Sequence, residues 1–264
     1  MLTTQNVIDN LEKLREESPL VHSITNYVVM NNTANALLSI GASPVMAHAR
    51  EEMEDMAGIA SALVLNIGTL SHEWVDSMLT AGKTASSRGI PVVLDPVGAG
   101  ATTFRTQSCH RIIEKVRPTI IRGNASEIMA LINSEVKTKG VDSTESSEAA
   151  LELAKTLARE TGAVVSVSGP KDFITDGKNV ISINNHIPLM PKVTGMGCSA
   201  SVLSGAFAAS CGSNLEGAAS AMAIMAVAGE MAVMKAEGPG SFQLHFLDAL
   251  YNMNDTDIAK HLTL

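Results

Sequence analysis

The sequence predicts an α/β protein with a three-layer fold, in which helices cover both faces of a mainly parallel central sheet and an antiparallel hairpin forms one edge. Short apolar runs alternate with helical patterns, as they do in βαβ units. The pair Asp176-Gly177 lies between two alternating runs, which is a strong hairpin signal. The chain shows no linker, low-complexity segment or internal repeat. We therefore expect one domain over residues 1–264.

Six short apolar runs are the predicted strands of the parallel part of the sheet. They cover residues 20–25, 43–48, 62–68, 91–97, 118–123 and 163–169. Helical patterns separate them, and in the clearest one Ser71 offers an N-cap and Gly89 a stop. From Gly197 onward, a pattern rich in small residues predicts three more helices. These are expected near 197–211, 214–236 and 240–253.

Composition and charge narrow the class of protein. With 45% hydrophobic and 17% charged residues, the chain is typical of a compact globular protein. Its net charge of −8 argues against a nucleic-acid partner, because a phosphate backbone attracts positive charge. Cys109, Cys198 and Cys211 are an odd number without paired spacing. They indicate a reducing cytosol rather than a disulfide framework or a zinc knuckle.

We expect neither an export signal nor a membrane span. The N-terminal segment is acidic and amphipathic, where a signal peptide would be basic and then apolar. Residues 217–234 are long enough to span a bilayer, but they consist largely of Ala, Gly and Met and include Glu230. A buried helix explains this run better, so the prediction is a cytoplasmic protein without a membrane partner.

The carboxyl ends of the predicted strands are the places to look for chemistry, since ligands of open parallel sheets bind beyond them. Several of these ends are polar or glycine-rich. They read HSITN (22–26), PVMAHA (44–49), NIGTL (66–70), DPVGAGAT (95–102), RGNASE (122–127) and SVSGPKD (166–172). The P-loop, dinucleotide-binding, HExxH and GxSxG patterns are missing, as is any close His/Cys cluster. These absences argue against a P-loop nucleotidase, a dinucleotide-binding glycine fingerprint, a transition metal ligated by the protein and a standard hydrolase.

Asn124 and Glu127 admit two interpretations. Their spacing is that of a capping box, which can occur at any helix start. Alternatively, they organise water and Mg²⁺ around nucleotide phosphates together with Asp95, which ends an apolar strand. Asp95 on its own could equally cap the turn that begins at Pro96.

Two further strand ends offer phosphate or nucleotide contacts. Arg122 follows an apolar strand and is either a surface charge or a phosphate ligand. Ser168 and Gly169 would suit the close approach of a nucleotide, or they form a simple tight turn with Pro170.

The segment TGMGCSAS, residues 194–201, predicts a turn followed by the start of a helix. Gly195 and Gly197 allow backbone amides to approach an anion there. This reasoning alone leaves three roles open for Cys198 at the helix start: a nucleophile, a base or a small packing residue.

Taken together, five segments closely resemble the hydroxyethylthiazole kinases of the ribokinase-like superfamily. They are HSITNYVVMNNTANALLSIGASPVMAHA, LDPVGAGAT, IRGNASEI, VSVSGP and TGMGCSAS, and they occur in the same order as in that family. The resemblance extends from about Leu20 to about Gly240. Enzymes of this family use ATP to phosphorylate the hydroxyl of 4-methyl-5-(2-hydroxyethyl)thiazole in thiamine salvage. The resemblance implies a ribokinase-like fold, Mg²⁺ dependence and a homotrimer with active sites between subunits.

The resemblance also implies roles for individual residues. Asn26, Met46 and Gly195 correspond to thiazole contacts. ATP contacts are implied at Arg122, Asn124, Ser168 and Gly169, a Mg²⁺ site at Glu127 and Asp95, and phosphoryl transfer at Gly195, Gly197 and Cys198. Within the same superfamily, kinases for pyridoxal or hydroxymethylpyrimidine and an NAD(P)H-hydrate dehydratase are the alternatives. Outside catalysis, the alternative is a ligand-binding protein that kept the fold.

Cys198 departs from the superfamily, because most members carry an aspartate after the glycine turn. A helix N-terminus lowers the pKa of a thiol, so we expect Cys198 to be partly thiolate near neutral pH and to act as a weak base.

Overall fold

The strands form where the sequence places short runs of β-branched and leucine residues. In the computed structural model, which describes residues 2–132, 147–184 and 187–264, these strands are β1 (Leu20–Ile24), β2 (Ser43–Val45), β3 (Ala62–Asn66), β4 (Val92–Asp95), β5 (Ile120–Asn124), β6 (Val164–Ser168), β7 (Lys171–Thr175) and β8 (Val180–Asn184). They form one sheet in the order β2-β1-β3-β4-β5-β6-β7-β8. Strands β1 to β6 are parallel, whereas β7 and β8 pair antiparallel.

The helices follow the predicted alternation with the strands. They are α1 (Thr4–Glu17), α2 (Met30–Ile40), α3 (Met53–Ile59), α4 (His72–Arg88), α5 (Thr103–Val116), α6 (Ala125–Ile132), α7 (Ser147–Thr161), α8 (Met196–Cys211), α9 (Asn214–Val233), α10 (Pro239–Asn252) and α11 (Asp255–His261). In α4, the Ser71 side chain accepts a hydrogen bond from the amide of Trp74, and Gly89 ends the helix in a left-handed conformation. Both ends of α4 are therefore as predicted.

Two apolar cores lie on opposite faces of the sheet, because neighbouring strand residues point to opposite faces. In β3, Val64 belongs to one core, and Leu63 and Leu65 belong to the other. The first core packs against α1, α2 and α8 to α11, and the second packs against α3 to α7. The predicted three-layer α/β fold is confirmed.

The edge hairpin joins β7 and β8 through the turn at Asp176-Gly177, where Gly177 has a φ of 89°. The Asp176 carboxylate accepts from the amides of Lys178 and Asn179 and stabilises this turn. Strands β1 to β4 and β6 end before the last residues of the predicted runs, which lie in loops, whereas β5 extends one residue beyond its predicted run, to Asn124. Those loops carry much of the polar strand ends that the sequence singles out, except for RGNASE (122–127), which lies in β5 and α6.

Helix α9 is long and apolar enough to cross a bilayer, but 78% of its most apolar stretch is buried inside the protein. It packs against α8, and a methyl group on Gly217 would lie 2.6 Å from Cα of Ala208. The close approach of the two helices therefore requires a residue without a side chain at this position. The interpretation of this run as a buried core helix is confirmed.

We expect Gly217→Ala to lower the free energy of unfolding by about 1–3 kcal/mol, because the added methyl group meets the backbone of α8. Gly58→Ala, in helix α3, is the matched control, since no atom lies within 4 Å of its added methyl group. The control should gain up to about 1 kcal/mol from helix propensity. Urea unfolding of both variants measures the difference, and equal stabilities would contradict the close packing of α8 and α9.

Candidate active site

A cavity of about 760 Å³ lies where the carboxyl ends of the parallel strands meet the N-terminus of α8. Its volume is in the range of ligand sites for small molecules. Ten of the eleven predicted site residues line it: Asn26, Asp95, Arg122, Asn124, Glu127, Ser168, Gly169, Gly195, Gly197 and Cys198. Segments far apart in the sequence therefore converge on one cavity, as expected for an open parallel sheet.

Met46 is the predicted site residue that the structure places elsewhere. It follows β2, is half-buried against the core that contains α2 and α8, and does not line the cavity. Two histidines hold its segment. Nε2 of His22 donates to the carbonyl oxygen of Ala47 at 2.9 Å, and the His48 ring stacks on Trp74 with centroids 4.6 Å apart.

A buried hydrogen-bond network connects β1, β3, β4 and α8 at the floor of the cavity. Nδ2 of Asn26 donates to Oδ1 of Asn66 at 2.8 Å. Nδ2 of Asn66 donates to Oδ2 of Asp95 at 2.7 Å and to Sγ of Cys198 at 3.1 Å. Oγ of Ser201 donates to the same Asp95 oxygen at 2.8 Å. Burial raises the pKa of Asp95, and Arg122 is the largest opposing influence.

The capping box predicted for Asn124 and Glu127 is present. Oδ1 of Asn124 accepts from the Glu127 amide at 2.9 Å, and Oε2 of Glu127 accepts from the Asn124 amide at 2.9 Å. The second carboxylate oxygen, Oε1, accepts from the amide of Gly98 at 2.8 Å. Glu127 thus ties the loop after β4 to the start of α6, in addition to any role in ligand binding.

Glu127 is buried, and its pKa is raised to about 7. Burial is the largest cause, followed by the like charge of Asp95, while the two backbone amides and Arg122 oppose the shift. Two carboxyl groups thus share a buried region whose charge favours a cation.

The prediction that Cys198 is partly thiolate near neutral pH is wrong. Burial, and then the carboxylate of Asp95, raise the pKa of its thiol to about 12. The amides of Asn66 and Asn26 donate towards the sulfur but do not reverse the shift. Cys198 is therefore a neutral thiol near pH 7, despite its position in the first turn of α8.

The glycine turn has the predicted form. Gly195 has a φ of 85°, a left-handed conformation that favours glycine, and it directly precedes α8. The amides of Gly197 and Cys198 donate to no acceptor within the described residues. A methyl group on Gly197 would lie 2.7 Å from Nη1 of Arg122, so the missing side chain makes room for the guanidinium.

Arg122 is buried at the carboxyl end of β5 and lines the cavity. Its Nε atom has no hydrogen-bond partner among the residues the structure describes. An unpaired buried guanidinium donor is costly unless a ligand accepts from it. This arrangement excludes the surface-charge interpretation of Arg122.

At the end of β6, the amide of Gly169 donates to Oδ1 of Asp172 at 2.9 Å. Because this amide already has an acceptor within the protein, the contact favours the interpretation of Gly169 as part of a tight turn. Oγ of Ser168 makes a long bond of 3.4 Å to the carbonyl oxygen of Gly123. Ser168 therefore offers the more readily available polar group of the pair.

The described residues contain no group of three or more His, Cys, Asp or Glu side chains that could hold a metal ion alone. Asp95 and Glu127 nonetheless provide hard oxygen ligands beside the same cavity. Mg²⁺ retains several water ligands and is often bound through one or two carboxylates and substrate phosphates. The donor set fits that mode of binding.

Sequence reasoning missed several residues of this site. Asn66 and Ser201 complete the network around Asp95, and residues of the 187–193 loop and α9 form an apolar end of the cavity. Asn66 begins the polar strand end NIGTL, which was the available signal. Nothing local distinguishes Ser201 from the other serines of α8.

We expect the stability of the ligand-free protein to fall as the pH rises from about 4.5 to about 7. Over this range the folded protein keeps a proton on Glu127, whose pKa is about 7, and the unfolded chain releases it. Glu127→Gln should flatten this dependence by up to about 3.5 kcal/mol, at about 1.4 kcal/mol per pKa unit. Urea unfolding with a metal chelator at several pH values measures the slope.

The exposed residue Glu12 supplies the control for that experiment. Glu12→Gln should keep the pH slope of the unmodified protein. A Glu127→Gln variant with the same slope as this control would contradict the raised pKa of Glu127.

Comparisons with known proteins show the family to which the chain belongs. A model of the hydroxyethylthiazole kinase family matches residues 11–256. The hydroxyethylthiazole kinase of Nitratidesulfovibrio vulgaris (strain DSM 19637 / Miyazaki F) is 57% identical over 255 residues, which are 97% of this chain and 96% of that protein. The solved structure of a hydroxyethylthiazole kinase protein from Pyrococcus horikoshii OT3 has a TM-score of 0.91 at 42% identity and covers 98% of each chain.

A Bacillus subtilis pyridoxal kinase, solved as an ADP complex, has a TM-score of 0.60 at 17% identity. The match covers 79% of this chain and 90% of that one, and it shows a shared fold alone. The family match and the identity over nearly the whole chain lead to a firmer conclusion: this protein belongs to the hydroxyethylthiazole kinase family.

Proposed function

We propose that this kinase transfers the terminal phosphoryl group of ATP to the hydroxyl of 4-methyl-5-(2-hydroxyethyl)thiazole in thiamine salvage. One observation carries the proposal. The free amides at the start of α8, the buried guanidinium of Arg122 and the carboxyl groups of Asp95 and Glu127 face one cavity. Phosphoryl transfer needs such positioning and charge stabilisation more than it needs covalent catalysis.

The residues around the glycine turn would hold the transferring group. The amides of Gly197 and Cys198 point from the positive end of a 16-residue helix, which favours negative charge. Arg122, whose Nη1 lies beside Gly197, supplies a fixed positive charge at the same place. Both features are in position before any ligand binds, so the site stabilises developing charge without rearranging.

Asp95 and Glu127 would hold Mg²⁺, partly through water. When bound, the ion would neutralise phosphate charge and help to keep both carboxyl groups ionised. Asn124 lies at the start of α6, three residues before Glu127, and lines the same cavity. The protein fixes the orientation of Glu127 through two backbone amides, those of Gly98 and Asn124.

The two substrates would occupy opposite ends of the cavity. Asn26 and Gly195 lie at the end next to β1 and would contact the thiazole alcohol. At the other end, α9 packs against β6, β7 and β8, and apolar side chains line the cavity there. These side chains, Ile187, Met190, Met222 and Met225, suit the adenine ring, with the phosphates lying between the two ends.

We also propose a cytoplasmic homotrimer with active sites between subunits. Support comes from the surface beside Asn26, where Tyr27 and Val28 are 67% and 62% exposed. Exposed apolar side chains next to a substrate site favour a cover from a neighbouring subunit. Met46 could then contact the substrate of that neighbour, which would reconcile its predicted role with its position outside this cavity.

The assay that tests the function measures ATP consumption and product with the thiazole alcohol, with and without Mg²⁺. We expect turnover only when all three are present, and pyridoxal and hydroxymethylpyrimidine should be poor acceptors. Folded protein that binds ATP without phosphorylating the thiazole alcohol would contradict the proposal and favour a ligand-binding protein.

Cys198→Ala should retain measurable turnover, with a kcat reduced by no more than about tenfold. A neutral thiol with a pKa of about 12 is a poor base, and a loose transition state requires the alcohol to lose its proton only late. Steady-state kinetics compare this variant with Cys198→Ser, which keeps a polar group of similar size. Complete loss of turnover in a folded Cys198→Ala protein that still binds ATP would show that the thiol is essential.

Dilution should lower specific activity as the protein dissociates, if a neighbouring subunit covers the thiazole alcohol. Analytical ultracentrifugation and the kinase assay over the same concentration range measure both properties. Full activity per chain in a monomeric sample would contradict the shared active site.

A further inference from the structure

We propose that Asn66 is a positioning residue for phosphoryl transfer. Its side-chain oxygen holds Asn26 on the thiazole side of the site, and its side-chain nitrogen holds Asp95 and Cys198 on the transfer side. This inference rests on the proposed function, because it assigns a role to a residue of the same site.

The orientation of the two amide side chains is fixed by backbone donors. The amide of Gly68 donates to Oδ1 of Asn66 at 2.9 Å, and the amide of Val28 donates to Oδ1 of Asn26 at 3.1 Å. A backbone N–H can only donate, so each of these side-chain atoms must be an oxygen. The nitrogen of Asn26 must then face Asn66, and the nitrogen of Asn66 must face Asp95. The polarity of this chain of hydrogen bonds is therefore determined.

The hydrogen-bonding capacity of Asn66 is completely used. Its oxygen accepts from Asn26 and Gly68, and its two N–H groups donate to Asp95 at 2.7 Å and to Cys198 at 3.1 Å. An asparagine side chain offers two acceptor positions and two donors. The residue is 2% exposed, so water cannot replace a lost partner easily. No other side chain of this length reproduces all four bonds.

The position of Asn66 in the sheet explains why it can join these groups. It is the last residue of β3, which lies between β1 and β4 in the sheet. Asn66 and Asp95 are register partners, and Asn26 follows β1. A shift in Asn66 would therefore move the substrate contact and the carboxyl group relative to each other. Errors of about 1 Å in such arrangements are expected to cost about 100-fold in rate.

The two sides of the amide have separable effects. The acceptor side orients Asn26 and the loop at Gly68, both of which line the cavity. The donor side orients Asp95 and Cys198, which lie at the transfer point. Losing only the donor should lower kcat, whereas losing both sides should also weaken binding of the thiazole alcohol.

Asn66→Asp removes the donor and keeps an oxygen for Asn26 and Gly68. It also brings a second carboxyl oxygen against Asp95. We expect kcat to fall about 30-fold to 100-fold. The KM for the thiazole alcohol, and its Kd from calorimetry, should stay within about threefold. A residue that only stabilised the fold would not separate kcat from KM in this way.

Asn66→Ala removes both sides of the amide. It should show the same loss of kcat together with a Kd for the thiazole alcohol at least about tenfold weaker. If Asn66→Asp does not fold, Asn66→Ser replaces it, because the serine oxygen can still accept from the Gly68 amide two residues on. The serine is too short to reach Asn26 or Asp95, so kcat should fall as expected for Asn66→Asp, and the Kd for the thiazole alcohol should be weakened less than in Asn66→Ala.

Asn252→Asp is the matched control, since it makes the same chemical change at an exposed position on α10. Its kcat, KM and Kd should lie within about twofold of the unmodified protein. A folded Asn66→Asp variant with kcat within threefold of the unmodified protein would overturn the inference. So would a loss of binding as large as that of Asn66→Ala. The unmodified protein in the same assay tests the proposed function separately. If the unmodified protein does not phosphorylate the thiazole alcohol, the proposed function is wrong, whatever the Asn66 variants show.

Discussion

The site depends on the burial of two carboxyl groups beside one guanidinium. Asp95, Glu127 and Arg122 are 2%, 5% and 7% exposed, so their charges interact at low dielectric. Asp95 raises the pKa of Glu127, and Arg122 partly offsets this for both acids. With both acids ionised, the three groups carry a net negative charge, which a divalent cation bound with nucleotide phosphates would balance. The same charges that destabilise the ligand-free protein therefore favour the ligand.

This burial is possible because the parallel sheet aligns the carboxyl ends of its strands. Asn66 faces Asp95 across β3 and β4, and Asn124 faces Ser168 across β5 and β6. Helix α8 reaches these ends because its small residues let it lie close to the sheet. A methyl group on Gly205 would lie 2.9 Å from Val64. The packing of α8 thus sets the distance between its free amides and the strand ends.

The fold and much of the site could be predicted from local signals. The hairpin at Asp176-Gly177 and the capping box of Asn124 and Glu127 depend on residues close together in the sequence, and both are present. The hydrogen bonds of Asn66 could not be predicted in the same way. Their partner Cys198 lies 132 positions away, and only the tertiary structure brings it near. The position of Met46 relative to the cavity likewise depends on packing that its own segment does not reveal.

The thiol of Cys198 shows why a local rule failed and what this means for the mechanism. A helix N-terminus stabilises a nearby negative charge by about 0.3–1 kcal/mol, or up to about 2 kcal/mol in favourable cases. The rise in its pKa from 9.0 to about 12 corresponds to roughly 4 kcal/mol in the opposite direction. Burial and Asp95 therefore outweigh the helix. Because a neutral thiol contributes little as a base, catalysis must come mainly from held phosphate charge and from alignment of the alcohol. The free α8 amides, Arg122 and the network through Asn66 provide that combination.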